Sequence, residues 1–111
     1  TSEGEMVALK ISKRCESDEN SQDGSLFYSE VNALKKLKHP SIVKLHGYSD
    51  EASVKRKDGS ILDIAYIALD YVKNGELFDY IAQTDRFSEA EARYYFRQLI
   101  DALDYMHSNG Y

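Results

Sequence analysis

Two apolar runs joined across Asp58-Gly59 constrain this chain more than any other feature. Residues 41–48 alternate well enough to read as a strand, and Ala52-Ser53-Val54 extend it. Residues 61–72 form the strongest strand candidate, with Ile64, Tyr66, Ile67, Leu69 and Tyr71 in one stretch. Between them Lys57-Asp58-Gly59 supplies a turn, because glycine accepts a positive φ at no steric cost. Two strands with such a turn between them make an antiparallel hairpin.

The segments on either side give the hairpin its setting. Met6-Val7-Ala8-Leu9-Lys10-Ile11 is a short apolar run entered from Glu3-Gly4-Glu5, a turn leading into a buried strand. Residues 14–25 are polar and acidic and predict a loop. Over residues 26–38 the period changes: Phe27, Val31, Leu34 and Leu37 recur at spacings of three and four, which predicts an amphipathic helix. His39-Pro40 stops it, since the residue before proline is pushed out of the helical region. Beyond the hairpin, Lys73-Asn74-Gly75 breaks the strand and residues 76–82 predict a short helix carrying Leu77, Phe78 and Ile81. A longer helix starts at Ser88, an N-cap with Glu91 three residues on and Phe87 placed as a staple. Its apolar stripe is Tyr95, Leu99, Ile100, Leu103 and Met106, and Ser108-Asn109-Gly110 ends it. The fold class expected is α+β: a small, mostly antiparallel sheet with one helix packed on it, then two helices.

Composition narrows the function. With 111 residues and 42% hydrophobic content, the chain holds material for one small core. A net charge of −5 speaks against a general nucleic-acid binder, because no basic stripe is present to release counterions from a phosphate backbone. Lys35-Lys36 with Lys38, and Lys55-Arg56-Lys57, read as solvated faces or turns. Cys15 is the only cysteine, so no intrachain disulfide can form and a reduced, cytoplasmic setting is expected. No apolar run approaches the roughly 18 residues of a membrane span. The acidic start, Thr1-Ser2-Glu3, does not read as a signal peptide, and the chain lacks an initiator methionine. These features suggest a piece cut from a longer protein. His39, His46 and His107 share no metal-ligand spacing, so no metal site is expected from them.

One pair carries chemistry. Glu30 lies on the helical side of Leu34 and Leu37, where a charge is costly unless paired. Lys10, at the end of a strand, is the available partner. The plainer alternative leaves both exposed, Lys10 at a strand end and Glu30 on a helix flank.

The order of these blocks resembles that of a eukaryotic-type protein kinase over essentially the whole chain. The blocks are Val7-Ala8-Leu9-Lys10, then Glu30 in helix C, then Lys38-His39-Pro40-Ser41-Ile42-Val43-Lys44-Leu45. Leu69-Asp70-Tyr71-Val72 is similar to the hinge, and Asn74-Gly75-Glu76-Leu77-Phe78 follows it. The run from Phe87-Ser88-Glu89 through Tyr105-Met106-His107 resembles helix E. The wording of Leu77-Phe78-Asp79-Tyr80-Ile81 leans toward the serine/threonine, calcium/calmodulin-kinase-like branch.

The resemblance implies ATP with Mg²⁺ as cofactors and a protein substrate as partner. Residues 1–72 become a partial N-lobe ending in the hinge, and residues 73–111 the start of the C-lobe with helices D and E. Lys10 would set its ammonium against the α- and β-phosphates, held by Glu30. Ala8 and Leu77 would contact the two faces of the adenine, and Leu69 falls at the gatekeeper position. Asp70 and Val72 would offer backbone groups to the adenine edge, with Tyr71 between them, so their side-chain identities matter little. Glu76 resembles the ribose-contacting acid; as a plain residue it is an acid favoured by a helix N-terminus. Leu34 and Leu45 resemble the upper members of the hydrophobic spine. The sequence holds no H-R-D and no D-F-G motif, so the base aspartate and metal ligands are expected outside it. The isolated residues are then expected to be inactive. Two other readings are a pseudokinase that scaffolds or binds nucleotide without catalysis, and a generic α+β interaction domain.

Overall fold

The computed structural model describes residues 4–13 and 22–111. Its elements are β1 (Val7–Lys13), α1 (Gln22–Lys36), β2 (Leu45–Lys55), β3 (Ile61–Asp70), α2 (Leu77–Thr84) and α3 (Glu89–Ser108). The class is α+β. The strands form one antiparallel sheet in the order β1-β3-β2. The chain divides into two compact units. The first gathers β1, α1, β2 and β3; the second gathers His39–Ile42 with α2 and α3.

In the first unit the strand with the most apolar sequence takes the centre. Of the three described strands only β3 has neighbours on both edges, and it buries Ile64, Ala65, Ile67 and Ala68. Successive strand residues face opposite sides of a sheet, so these four cover both faces. Val31 of helix α1 and Leu37, just past its end, add to the core. The β2–β3 turn uses the expected glycine: Gly59 has φ +89°, and its N–H donates to the Arg56 carbonyl at 3.0 Å. Asp58 Oδ1 accepts from the Ser60 N–H at 2.9 Å and its hydroxyl at 2.6 Å. Those two donors hold the Asp58 carboxyl below the ordinary aspartate value.

Several element boundaries differ from expectation, and four of them stand out. Helix α1 starts at Gln22, so the last four residues of the expected loop are helical, whereas Arg14 to Ser21 lie outside the described residues. A periodicity reading dates a helix from its first apolar residue, and a first turn can be wholly polar. Residues 41–44 are not strand; a turn from His39 to Ile42 takes up the first two, with the Ile42 N–H donating to the His39 carbonyl at 3.1 Å and the Ser41 N–H to His39 Nδ1 at 3.1 Å. Strand β2 runs through Ser49-Asp50-Glu51, with bulges between Leu45 and Gly47 and between Ser49 and Ala52. Those bulges interrupt the alternation that a single strand would show. Finally, β3 stops at Asp70, leaving Tyr71 and Val72 outside it.

In the second unit, α3 begins with both halves of its capping box. The Glu91 N–H donates to Ser88 Oγ at 3.2 Å, and the Ser88 N–H donates to Glu91 Oε2 at 3.2 Å. Phe87 stacks on Tyr95 with centroids 5.3 Å apart and lies 5.6 Å from Tyr80. Gly110, at φ +86°, follows the last turn. Of α3 only Ala102 is buried; Leu99, Ile100 and Leu103 of its stripe are exposed. Because the box satisfies two otherwise unpaired amide hydrogens, Ser88→Ala should cost about 1 kcal/mol of α3 stability, whereas Ser88→Asp should cost little. Thermal unfolding followed by helical circular dichroism reads both.

Candidate functional site

Strand β1 and helix α1 bring Lys10 and Glu30 together. Lys10 Nζ donates to Glu30 Oε1 and Oε2, both at 2.9 Å. One ammonium between both oxygens of a carboxylate has little freedom to swing on its four-carbon stem. The pair is more open than the apolar stripe of α1 implies, with side chains 61% and 36% exposed. At that exposure an ion pair adds about 1 kcal/mol at most, so its effect is on geometry more than on stability.

The register shows what surrounds the pair. Lys10 lies opposite Ile67, and Ala8 opposite Leu69, which in turn lies opposite Leu45 on the other edge. Cross-strand partners project from the same face, as do residues two apart on one strand. Ala8, Lys10, Ile67, Leu69 and Leu45 therefore share the face over which Glu30 reaches. A small residue beside a leucine, next to a tethered cation, is a surface fitted to a flat apolar group that carries anionic charge at one end.

Helix α1 is fastened to β2 by contacts that no short-range pattern announces. The Tyr28 hydroxyl donates to Asp50 Oδ2, and this bond pushes the phenol above its ordinary value. Lys35 Nζ donates to the Tyr48 hydroxyl at 2.8 Å and stands 4.6 Å from that ring's centroid. Phe27 meets the Tyr48 ring at 6.5 Å. Asp50 sits in the second bulge of β2, where the extra residue re-aims a side chain. These contacts set how α1 lies on the sheet and hence where Glu30 points.

Asp70 departs from expectation. Its side chain is engaged, so its identity does matter. Oδ2 accepts from the Lys44 N–H at 2.8 Å, and Oδ1 lies 2.6 Å from His46 Nε2. These bonds, the one to His46 first, hold the Asp70 carboxyl below the ordinary aspartate value. Tyr71 and Val72 follow as exposed residues, and the Val72 carbonyl accepts from the Gly75 N–H at 3.3 Å. In the second unit, Glu76 is the N-cap residue of α2 in extended backbone, and its side chain makes no capping hydrogen bond. Leu77 opens that helix with 44% of its surface exposed. Among the described residues, no three His, Cys, Asp or Glu side chains cluster as metal ligands. No described helix is long and apolar enough to cross a membrane.

Comparison with known sequences adds an independent finding. The family profile described as protein kinase domain matches residues 1–111. The chain is 39% identical over 110 residues to CBL-interacting serine/threonine-protein kinase 8 of Arabidopsis thaliana, covering 99% of this chain and 22% of that protein. It is 39% identical over 108 residues to maternal embryonic leucine zipper kinase of Danio rerio, covering 97% and 14% respectively. CBL-interacting protein kinase 8 of Oryza sativa subsp. japonica is 36% identical over 110 residues, with coverage of 99% and 22%. The chain thus spans less than a quarter of the length of each of these relatives.

Proposed function

The chain belongs to the protein kinase domain family, and on that premise we propose that it supplies the nucleotide-holding part of a serine/threonine kinase catalytic domain. Proteins of this family use ATP with Mg²⁺. The observation that carries the reading is the Lys10–Glu30 pair, held on the sheet face that also presents Ala8 and Leu69.

Each residue then has a physical task. Lys10 meets the α- and β-phosphates as a point charge, and Glu30 keeps its stem from wandering. Ala8 and Leu77 contact the adenine, and Leu69 limits how deep the base can go. The Asp70 carbonyl and the Val72 N–H read the adenine edge, Tyr71 joining them. Glu76, whose carboxylate is not spent on a helix cap, is available for the ribose hydroxyls. Residues 1–72 correspond to strands 3–5 and helix C of an N-lobe with its hinge, and residues 73–111 to helices D and E of a C-lobe. The group that takes the hydroxyl proton, and the ligands of Mg²⁺, are assigned to other segments of the intact protein. These 111 residues alone transfer nothing. The activity proposed for the intact protein is transfer of the ATP γ-phosphoryl group to serine or threonine of a protein substrate, in an intracellular setting.

The test uses the intact protein, Mg²⁺ with ATP labelled in its γ-phosphate, and a degenerate peptide mixture holding serine, threonine and tyrosine. Label is expected on serine and threonine. Label on tyrosine alone would overturn the substrate assignment, and ATP binding with no transfer would make the protein a pseudokinase.

A further inference from the structure

We infer that His46 and the Asp70 carboxylate form a clasp that fixes the backbone at the end of β3, making His46 a positioning residue for adenine recognition. The inference rests on the reading of Asp70 as a backbone contact for adenine and goes beyond it, because it assigns a role to two side chains that touch no nucleotide.

The clasp is visible in the number of bonds that converge on one residue. Asp70 is the last residue of the central strand. Its N–H donates to the Lys44 carbonyl at 3.0 Å, while its Oδ2 accepts from the Lys44 N–H at 2.8 Å. Main chain and side chain of Asp70 are therefore tied to the same residue at the mouth of β2. His46 supplies the third tie, at 2.6 Å from Oδ1. It occupies the first β2 bulge, since Leu45 pairs with Leu69 and Gly47 with Ala68, leaving His46 unmatched. A bulge re-aims the side chain of its extra residue, and here the imidazole is turned to the strand end. The depressed carboxyl pKa fits an ionised Asp70 that accepts at both oxygens.

The position of the clasp gives it a use. A strand end normally frays, and Tyr71, the next residue, is already exposed. If the Asp70 carbonyl is to meet one edge of a purine, its peptide plane must be set before the ligand arrives; otherwise binding has to order it. Three bonds on one residue do this, and they lie at the far end of β3 from the hairpin turn. The Lys10–Glu30 pair shares none of these partners, so phosphate and adenine contacts are fastened separately.

The experiment compares His46→Ala and His46→Gln with the unsubstituted intact protein, measuring affinity for adenosine, ATP and inorganic tripolyphosphate. Expected is a loss of adenosine and ATP affinity of about five- to tenfold in His46→Ala, the size of one ordinary hydrogen bond. Tripolyphosphate affinity should stay at the unsubstituted value, and His46→Gln, which can still donate to Asp70, should recover most of the loss. Asp70→Asn should weaken adenosine at least as much. Unchanged adenosine binding in His46→Ala, with ATP still held through Lys10, would sink the clasp and leave the proposed function standing. An equal loss for all three ligands would also sink it, since that is what general loosening does. Failure of the unsubstituted protein to bind adenosine or ATP would remove the proposed function and the clasp with it.

Discussion

Lys10→Met in the intact protein is expected to lower kcat for phosphoryl transfer by about 10²–10³-fold, the loss seen when one preorganised charge-stabilising group is removed. Phosphoryl transfer asks a protein for positioning and electrostatic stabilisation more than for covalent chemistry, so a fixed cation has a large share in it. The side chain is 61% exposed and its ion pair adds little stability, so the melting temperature should hardly move. That separation is what makes the variant informative. Lys10→Arg should not restore the rate: its planar fork can still pair with both oxygens of Glu30, but it is bulkier and spreads its charge, so it does not present a compact point charge to the phosphates. Glu30→Gln should cost less, roughly tenfold, since the cation remains but loses its tether. Steady-state kinetics on the three variants, with a thermal melt for each, reads the whole series. A Lys10→Met protein with kcat near that of the parent would take Lys10 out of the phosphate site.

What could be read from sequence follows from how far each signal reaches along the chain. The capping box of α3 is written in Ser88 and Glu91, three residues apart, and both of its bonds are present. The hairpin was equally plain, because Asp58-Gly59 stands between two apolar runs and Gly59 takes the positive φ that the turn needs. The ends of elements were harder. Helix α1 begins in polar residues that carry no period, and β3 stops at Asp70 although apolar residues continue past it. Harder still were contacts between distant residues. Tyr28 with Asp50, Lys35 with Tyr48, and His46 with Asp70 join positions 22, 13 and 24 apart, and no local pattern marks any of them. Two of the three depend on bulges, which shift a register by one residue without a composition signal. Resemblance and the cost of a lone charge both pair Lys10 with Glu30. The second argument overstates the burial, since the Lys10 side chain is 61% exposed and that of Glu30 36%.

Ile67→Ala should be the most damaging single core change, at about 3 kcal/mol within a range of roughly 2–5 for truncating a buried isoleucine. Ile67 is 2% exposed and lies on the one strand flanked on both edges. It is also the cross-strand partner of Lys10 and shares the sheet face that Glu30 reaches over. Truncating it opens a cavity beneath the lysine that the proposed chemistry needs to be fixed. Small domains hold only about 5–15 kcal/mol in all, so such a loss is a large fraction of the total. Ile67→Val removes one methylene and should cost about 0.5–1.5 kcal/mol. Ile11→Ala is the control: it is another β1–β3 apolar residue, but 54% exposed, and exposed substitutions usually stay within about 0.5 kcal/mol. Denaturant unfolding of the three variants orders them, and ATP affinity measured well below the melting temperature tells stability from aim. If Ile67→Ala costs no more than Ile11→Ala, the core does not lie under Lys10. If it costs the full amount while ATP affinity is unchanged, the cation is aimed by Glu30 and β1 alone.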